Sequence, residues 1–476
     1  MSATPPSRPR LRVLPSPEGV EPHAAPPAAP ATTSAAVGST PPPSGLRRGF
    51  AALRHRNYRL FISGQIVSLV GTWMQSVSQP WLVLLLGGSP LQLGTVLALQ
   101  YAPSLFLAPL GGVLADRVDK RRALRVVNAL ASVEAVVLFG LTFTGVVEIW
   151  HVMVLAFMLG LVNAVEMPMR QAFAAEIVPR HDLMNAIALN SATFNLARII
   201  GPAVAGVTLA LFGPAFNFAL NAVSYLAVLL GLSLMDPQRL HRVERPDAPA
   251  SVRTSLAEGF GYARRTPSVL WPLVLLAGFA IFGMNFQTLL PLYARDTLGL
   301  GAEGYGALFA SMGVGSLMGS LTLAFAGSRR PLTLLIMGGA VAFIALELAL
   351  GVVRLPVLAY PLMVLLGLAA MLMVNTINVT IQNSVSDALR GRVMSLYVTV
   401  FAGSAPIGGF FAGFVAQLWG PPAGFLLGAG IASVFVAVVG WQLAKAPGSW
   451  TDSAARARRS DASAPPTPSA RRAAGE

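Results

Sequence analysis

The stretch GGVLADRVDKRRALR, Gly111 to Arg125, lies between two long apolar runs and places five basic and two acidic side chains in the ten residues from Asp116 onward. Elsewhere the chain is sparing with charge. Only 11% of its 476 residues are Asp, Glu, Lys or Arg, whereas 54% are hydrophobic, and mean hydropathy is +0.63. Soluble domains carry about a quarter charged residues, and a water-soluble core could not hide this much apolar surface. The bilayer is therefore the expected solvent, and the charged stretch reads as a turn held in water between two membrane-crossing helices. There is no cysteine, which excludes disulfides and thiolate metal sites.

Working outward from this turn, twelve apolar stretches come near the ~20 residues a helix needs to cross hydrocarbon. They begin near Tyr58, Pro90, Ala123, Ile149, Leu183, Pro214, Ser268, Glu303, Pro331, Pro356, Val393 and Pro421. Some connections are very short, as in LGGSPL after the first span and FGPAF between the fifth and sixth. Gly-Pro pairs punctuate span ends because glycine suits a helix C-terminus and proline a first turn.

The net charge of +14 comes almost wholly from arginine. Of the 34 Lys and Arg residues, 31 fall in the two tails and the even-numbered loops; Arg295 and Arg354 alone lie in odd-numbered loops, and Arg198 lies inside span five. Loops rich in Lys and Arg stay cytoplasmic, which predicts a multi-pass protein of the cytoplasmic membrane with both termini inside. Because the basic residues follow a topology rule and form no single face, a nucleic-acid partner is not expected.

The predicted organisation is a Pro/Ala-rich disordered cytoplasmic tail (1–56), a six-helix half (57–235), a cytoplasmic central loop (236–267), a second six-helix half (268–446) and a disordered basic tail (447–476). The first tail has no hydrophobic stretch of the kind a cleavable signal needs. A faint duplication supports the halves: AGVTLALFGP (Ala205–Pro214) lies on AGFVAQLWGP (Ala412–Pro421) without a gap, and GSRRP (Gly327–Pro331) echoes the opening turn. Parallel halves of this kind place a substrate site near the bilayer midplane between them.

Gly112, then three residues, Asp116-Arg117 and the cluster Lys120, Arg121 and Arg122 resemble the loop signature of the major facilitator superfamily. Asp119, standing where the second glycine of that signature falls, resembles the drug and siderophore exporter branch. RIIGPAVAG (Arg198–Gly206), with Gly201, Pro202 and Gly206, is similar to the Gly-Pro motif of antiporter members. Gln65, Ser68 and Gly71 followed by WLVLLLGGSP also resemble that branch's first helix. The resemblance implies an all-α membrane protein of twelve transmembrane helices in two pseudo-symmetric halves, exporting a drug-like or siderophore-like molecule by alternating access. It also implies a gating loop of Gly112, Asp116, Arg117 and Arg121, with Asp116 facing the positive end of span eleven near Val393. Arg122 and Arg125 read as topology markers. Many proton-coupled members carry an arginine in span four; LAFMLGLVNAVEMP (Leu155–Pro168) has none.

Charges at membrane depth are expensive and usually paired or functional. Arg198 either binds an anionic group of the substrate or forms a structural ion pair with Glu134, Glu166 or Glu347. Glu166 has a local partner one turn on, Arg170. Glu134 and Glu347 have no such neighbour and are candidates for proton coupling, since a carboxyl in a low-dielectric site can take up and release a proton near neutral pH.

Span one carries Gln65, Ser68, Thr72, Gln75 and Gln79 at spacings of three, four, three and four, which puts them on one face. With Asn285 and Thr288 in span seven they are candidate cavity residues for a sizeable, partly hydrophobic solute; helix–helix hydrogen bonding is the alternative, especially for Asn375 and Asn378. The five histidines fall in tails or at span ends, and no GxxxxGK[ST] loop, metal-spaced cluster or nucleophile–base pair occurs. The expectation is a monomeric secondary transporter that is not an enzyme, takes no cofactor and has a small molecule, the lipid bilayer and protons as partners. An importer or uniporter, a lipid flippase and a non-transporting receptor are the alternatives.

Overall fold

The computed structural model describes residues 50–241, 252–326 and 332–445; of these, the side chains of 108–117, 252–256, 324, 326, 387 and 388 are outside the description. Residues 1–49 and 446–476 of the tails lie outside the described residues, as do 242–251 of the central loop and the GSRRP turn. Residues 50–56, for which the sequence predicts disorder, instead form a 3-10 turn at Ala51–Arg54 and the start of α1, held by His55 on Asp182.

The described residues are helical throughout, with no strand. In lipid a spanning segment must satisfy every backbone group internally, and a helix does so without a partner. Six spans precede the central loop: α1 (Arg56–Leu85), α2 (Pro90–Arg117), α3 (Lys120–Phe143), α4 (Ile149–Ile177), and then a run Leu183–Leu234. That run turns over at Gly213, whose φ of 75° and ψ of 176° no helix contains. It therefore supplies two spans, α5 (183–212) and α6 (214–234). The left-handed φ is the reason a glycine stands there, and Pro214 opens the next helix. An amphipathic helix, α7 (Val252–Arg265), follows.

The second six spans are α8 (Pro267–Thr297), α9 (Ala302–Ala326), α10 (Leu332–Val352), α11 (Pro356–Asn383), α12 (Asp387–Trp419) and α13 (Pro421–Lys445). The helices follow the order of the sequence reading, the one expected from near Val393 beginning earlier, at Asp387. The seventh is irregular: α8 passes through a π-helical stretch at Phe279–Gly283, loses helical geometry at Met284 and Asn285, and resumes at Phe286.

Two seams join the halves. Along α2 and α12, a Cβ on Gly94 would lie 2.5 Å from Gly409 O, and one on Gly413 2.9 Å from Gly94 Cα. Along α5 and α9, a Cβ on Gly206 would lie 2.9 Å from Gly306 Cα. Trp81 of α1 stacks on Tyr305 of α9 with ring centroids 5.6 Å apart, and Arg295 Nη1 donates to Leu84 O at 3.2 Å. All of these lie toward the end of the bundle that carries Gly87, Gly213 and Gly420, opposite the end where Arg56 begins α1 and Lys445 closes α13. Apolar helices gain little by hiding from lipid, so close backbone approach supplies the attraction, and glycine permits it.

Candidate substrate and coupling site

Arg198 projects from α5 into the region where the halves face one another. Its guanidinium carbon lies 5.8 Å from the centroid of the Trp73 ring on α1, and Nη1 is 3.8 Å from the Met371 sulfur on α11. Trp73 in turn meets Phe194 edge-on at 5.8 Å and Phe309 of α9 at 6.2 Å. Two helices of each half therefore converge on one cation. A thioether is a weak acceptor, and Arg198 Nε is buried without a partner.

None of the three candidate acids reaches Arg198, so the ion-pair alternative is not realised among the described residues. Glu166 holds Arg170 at 3.4 Å. The other two sit elsewhere, as described below.

The Gly-Pro motif positions this region. A Cβ on Gly201 would collide with Trp73 Cβ, so the glycine gives the indole its seat. Pro202 O lies 2.7 Å from where Gly306 would carry a Cβ, and Gly206 makes the α5–α9 contact already described.

The stripe on α1 faces α3 and α6 within its own half, and not the region between the halves. Gln75 Nε2 donates to both carboxyl oxygens of Glu134, at 3.3 and 3.2 Å, and Gln75 Oε1 accepts from Asn221 Nδ2 at 2.6 Å. Ser224 Oγ donates to Asn221 O at 2.7 Å. Asn217 Nδ2 donates to Ser78 Oγ at 2.7 Å and Asn217 Oδ1 accepts from Thr208 at 2.5 Å. Gln65, Ser68, Gln75 and Gln79 are all buried, and Thr72 bonds back to Ser68 O at 2.9 Å. Amides in an apolar medium take the nearest donors and acceptors, and here these are the asparagines of α6. In the described conformation Gln75 is thus engaged within the first half. Asn285 is likewise spent, donating to Ile281 O at 2.7 Å beside Gly408.

Glu347 on α10 is fully buried, and among the described residues neither carboxyl oxygen has a hydrogen-bond partner. It occupies in the second half the place that Glu134 has in the first: a carboxyl on the third span of six, set against the first and sixth.

Of the gating loop, Gly112, Asp116 and Arg117 have side chains outside the described residues; their backbone ends α2. Arg121 donates to Leu232 O and Ser233 O at 2.6 and 2.9 Å, tying the loop to the end of α6. Lys120 pairs with Glu176 at 2.6 Å, and Asp119 caps α3 by accepting from Arg122 N at 3.0 Å.

Sequence reasoning passed over three groups. Asn217, Asn221 and Ser224 recur at helical spacing on α6, a signal of the same kind as the stripe on α1. Tyr101 of α2 donates to Gln287 Oε1 of α8 at 2.9 Å across the halves, and Met371 meets Arg198; contacts so distant in sequence leave no local trace.

Twelve spans in two halves, with a lone arginine where the halves meet, define a major facilitator transporter. Across residues 47–466 the chain matches the transmembrane secretion effector family of that superfamily, and it belongs to it. The staphyloferrin A transporter of Staphylococcus aureus is 26% identical over 394 residues, 80% of this chain and 94% of the relative. The enterobactin exporter EntS of Escherichia coli is 25% identical over 376 residues, 78% and 87% of the two chains. Among solved structures, a mutant of the nucleoside transporter NupG superposes with a TM-score of 0.67 at 15% identity, covering 81% of this chain and 98% of that one. An inward-facing bacterial homologue of the lysosomal transporter Spinster gives 0.61 at 14%, covering 87% and 98%. The chain shares their fold and is a multi-pass membrane protein.

Proposed function

We propose that this protein exports an anionic, siderophore-like or drug-like small molecule across the cytoplasmic membrane by alternating access, driven by the proton gradient. The observation that carries the reading is Arg198: a guanidinium between the halves, held by Trp73 and Met371, with no carboxylate partner among the described residues. A cation left unanswered in such a place is costly, and an anionic substrate group answers it. The surrounding indole, phenyl and thioether groups suit an amphipathic solute and adapt to its shape. The siderophore relatives fit this chemistry.

Contacts between the halves gather at the end away from the termini, which corresponds to a state closed there and open toward the side where the basic loops lie. With both termini cytoplasmic, that is the loading state of an exporter. The two six-helix halves (57–235 and 268–446) rock about the α2–α12 and α5–α9 seams, the Asp116 loop latches the cytoplasmic side, and the chain works as a monomer.

The test is transport by purified protein in proteoliposomes, with and without a pH gradient, of anionic, neutral and cationic members of one compound series. Arg198→Gln is expected to abolish transport of the anionic members, and Arg198→Lys to retain part of it. Unchanged anion transport in Arg198→Gln overturns the reading. Lipid transfer without solute transport would instead identify a flippase.

A further inference from the structure

The two carboxyls at matching places in the halves have opposite settings. Glu134 is bonded to the Gln75 amide. Glu347 is met by glycine on two sides: a Cβ on Gly283 of α8 would lie 3.4 Å from Oε2, and one on Gly428 of α13 3.5 Å from Oε1. Phenyl rings adjoin the Gly283 side, where that same Cβ would lie 3.0 Å from Phe343 Cε1 and 3.5 Å from Phe279 Cδ1, and the Phe282 carbonyl adjoins the Gly428 side. Phe343, one turn back on α10, packs edge-on against Phe279 at 5.2 Å and Phe286 at 6.1 Å, both on α8. The residues facing the carboxyl from α8 and α13, and Phe343 on its own helix, neither titrate nor carry charge. α11, which also packs on α10, carries no Asp, Glu, Lys, Arg or His between Pro356 and Asn383.

A buried carboxyl needs a donor or a bound cation to answer it, and among the described residues Glu347 has no hydrogen-bond partner. The cation that fits is the proton, because a metal ion requires several oxygen ligands around it. Gly283 closes the π-helical stretch of α8, at the point where that span loses helical geometry. Four residues further along, Gln287 accepts the hydrogen bond from Tyr101 of the other half. The wall of the carboxyl site and the cross-half contact are thus parts of one broken helix. π-bulges of this kind are frequent at functional sites.

We propose that Glu347 is the proton-binding site of the transporter, opened and closed by the break in α8, and separate from the anion site at Arg198. Straightening or swinging α8 breaks the Tyr101–Gln287 contact and lets water reach the carboxyl, which releases its proton; reclosure requires the proton to return. Proton and substrate then communicate through α8 and do not compete for one cavity, and Glu134 is a fixed structural partner of Gln75. This inference rests on the proton-coupled reading above.

Two measurements on the full chain test it. In wild-type protein, a hydrophobic carbodiimide, which reacts with protonated buried carboxyls, is expected to modify Glu347, as read by peptide mass spectrometry. Modification of Glu134 with Glu347 untouched overturns the proposal, and the result does not depend on any variant folding. In proteoliposomes, Glu347→Gln is expected to keep gradient-free substrate exchange while gradient-driven accumulation falls to the level without a gradient; Glu134→Gln keeps its gradient dependence. Wild-type transport indifferent to the gradient refutes the coupled-exporter reading itself. A gradient response in wild type that survives in Glu347→Gln refutes only the assignment of the site.

Discussion

Replacing Gly206 by alanine puts one methyl group where the α5–α9 seam has room for none. The new Cβ would stand 2.9 Å from Gly306 Cα and 3.2 Å from the carbonyl oxygens of Ala302 and Glu303, all backbone atoms that cannot swing aside. Overpacking of this kind costs about 1–3 kcal/mol. In an alternating-access cycle that cost is borne only while α5 and α9 touch, so it weighs on the closed state alone. A bias of that size shifts a two-state equilibrium by roughly 5- to 150-fold. The chain has no cysteine, so a single one can report the shift without background. Gly409→Cys suits the purpose, since its Cβ meets Gly94 O at 3.5 Å and Leu97 Cβ at 3.6 Å, ordinary contact within the other seam. The rate at which a membrane-impermeant maleimide labels Cys at 409 in intact cells is expected to rise by a factor in that range when Gly206→Ala is added. Gly338→Ala, where an added Cβ has open space, serves as the control and should leave the rate alone. An unchanged rate in folded Gly206→Ala protein would show that the seams do not part together, and the rocking mechanism would be wrong.

Other expectations concern the polar network and the loop. Gln75→Leu strips the partner from Glu134 and from Asn221 Nδ2 at once; unmet buried polar groups cost about 1–3 kcal/mol each, so the midpoint of thermal unfolding in detergent should fall clearly, and an unchanged midpoint would mean that water reaches the network. Asp116→Asn should cut transport while leaving expression and orientation intact, because a charge–helix-end contact of roughly 0.3–1 kcal/mol, up to ~2 when partly buried, is lost from the latch. Normal turnover in that variant removes the latch. Reporter fusions at Gly87 and Asp116 should report opposite compartments, and a shared compartment would undo the assigned topology.

Much of the architecture was legible in the chain because hydropathy and charge are local quantities. A run near twenty apolar residues commits to a helix in lipid wherever it later packs. Hence the starts at Pro90, Ile149, Pro356 and Pro421 coincide with the helix starts observed. The irregular α8 was not legible: nothing in PSVLWPLVLLAGFAIFGMNF distinguishes a regular helix from one that passes into a π-turn, because the break is stabilised by what packs around it.

The candidate site divides in the same way. Periodicity correctly grouped Gln65, Ser68, Thr72, Gln75 and Gln79, yet a polar face in lipid turns toward protein whether that protein is a cavity wall or a neighbouring helix. Only the packing of α1 on α3 and α6 chose the second. The sequence by itself determined that this is a twelve-span membrane transporter with one arginine and a few carboxyls at depth, since each of those facts is a property of a short segment in a given solvent. Which of them meet was decided by tertiary structure alone. Arg198 and Met371, or Tyr101 and Gln287, are brought together by the rotation of each helix about its axis and the docking of one half on the other, and no stretch of either helix encodes that geometry.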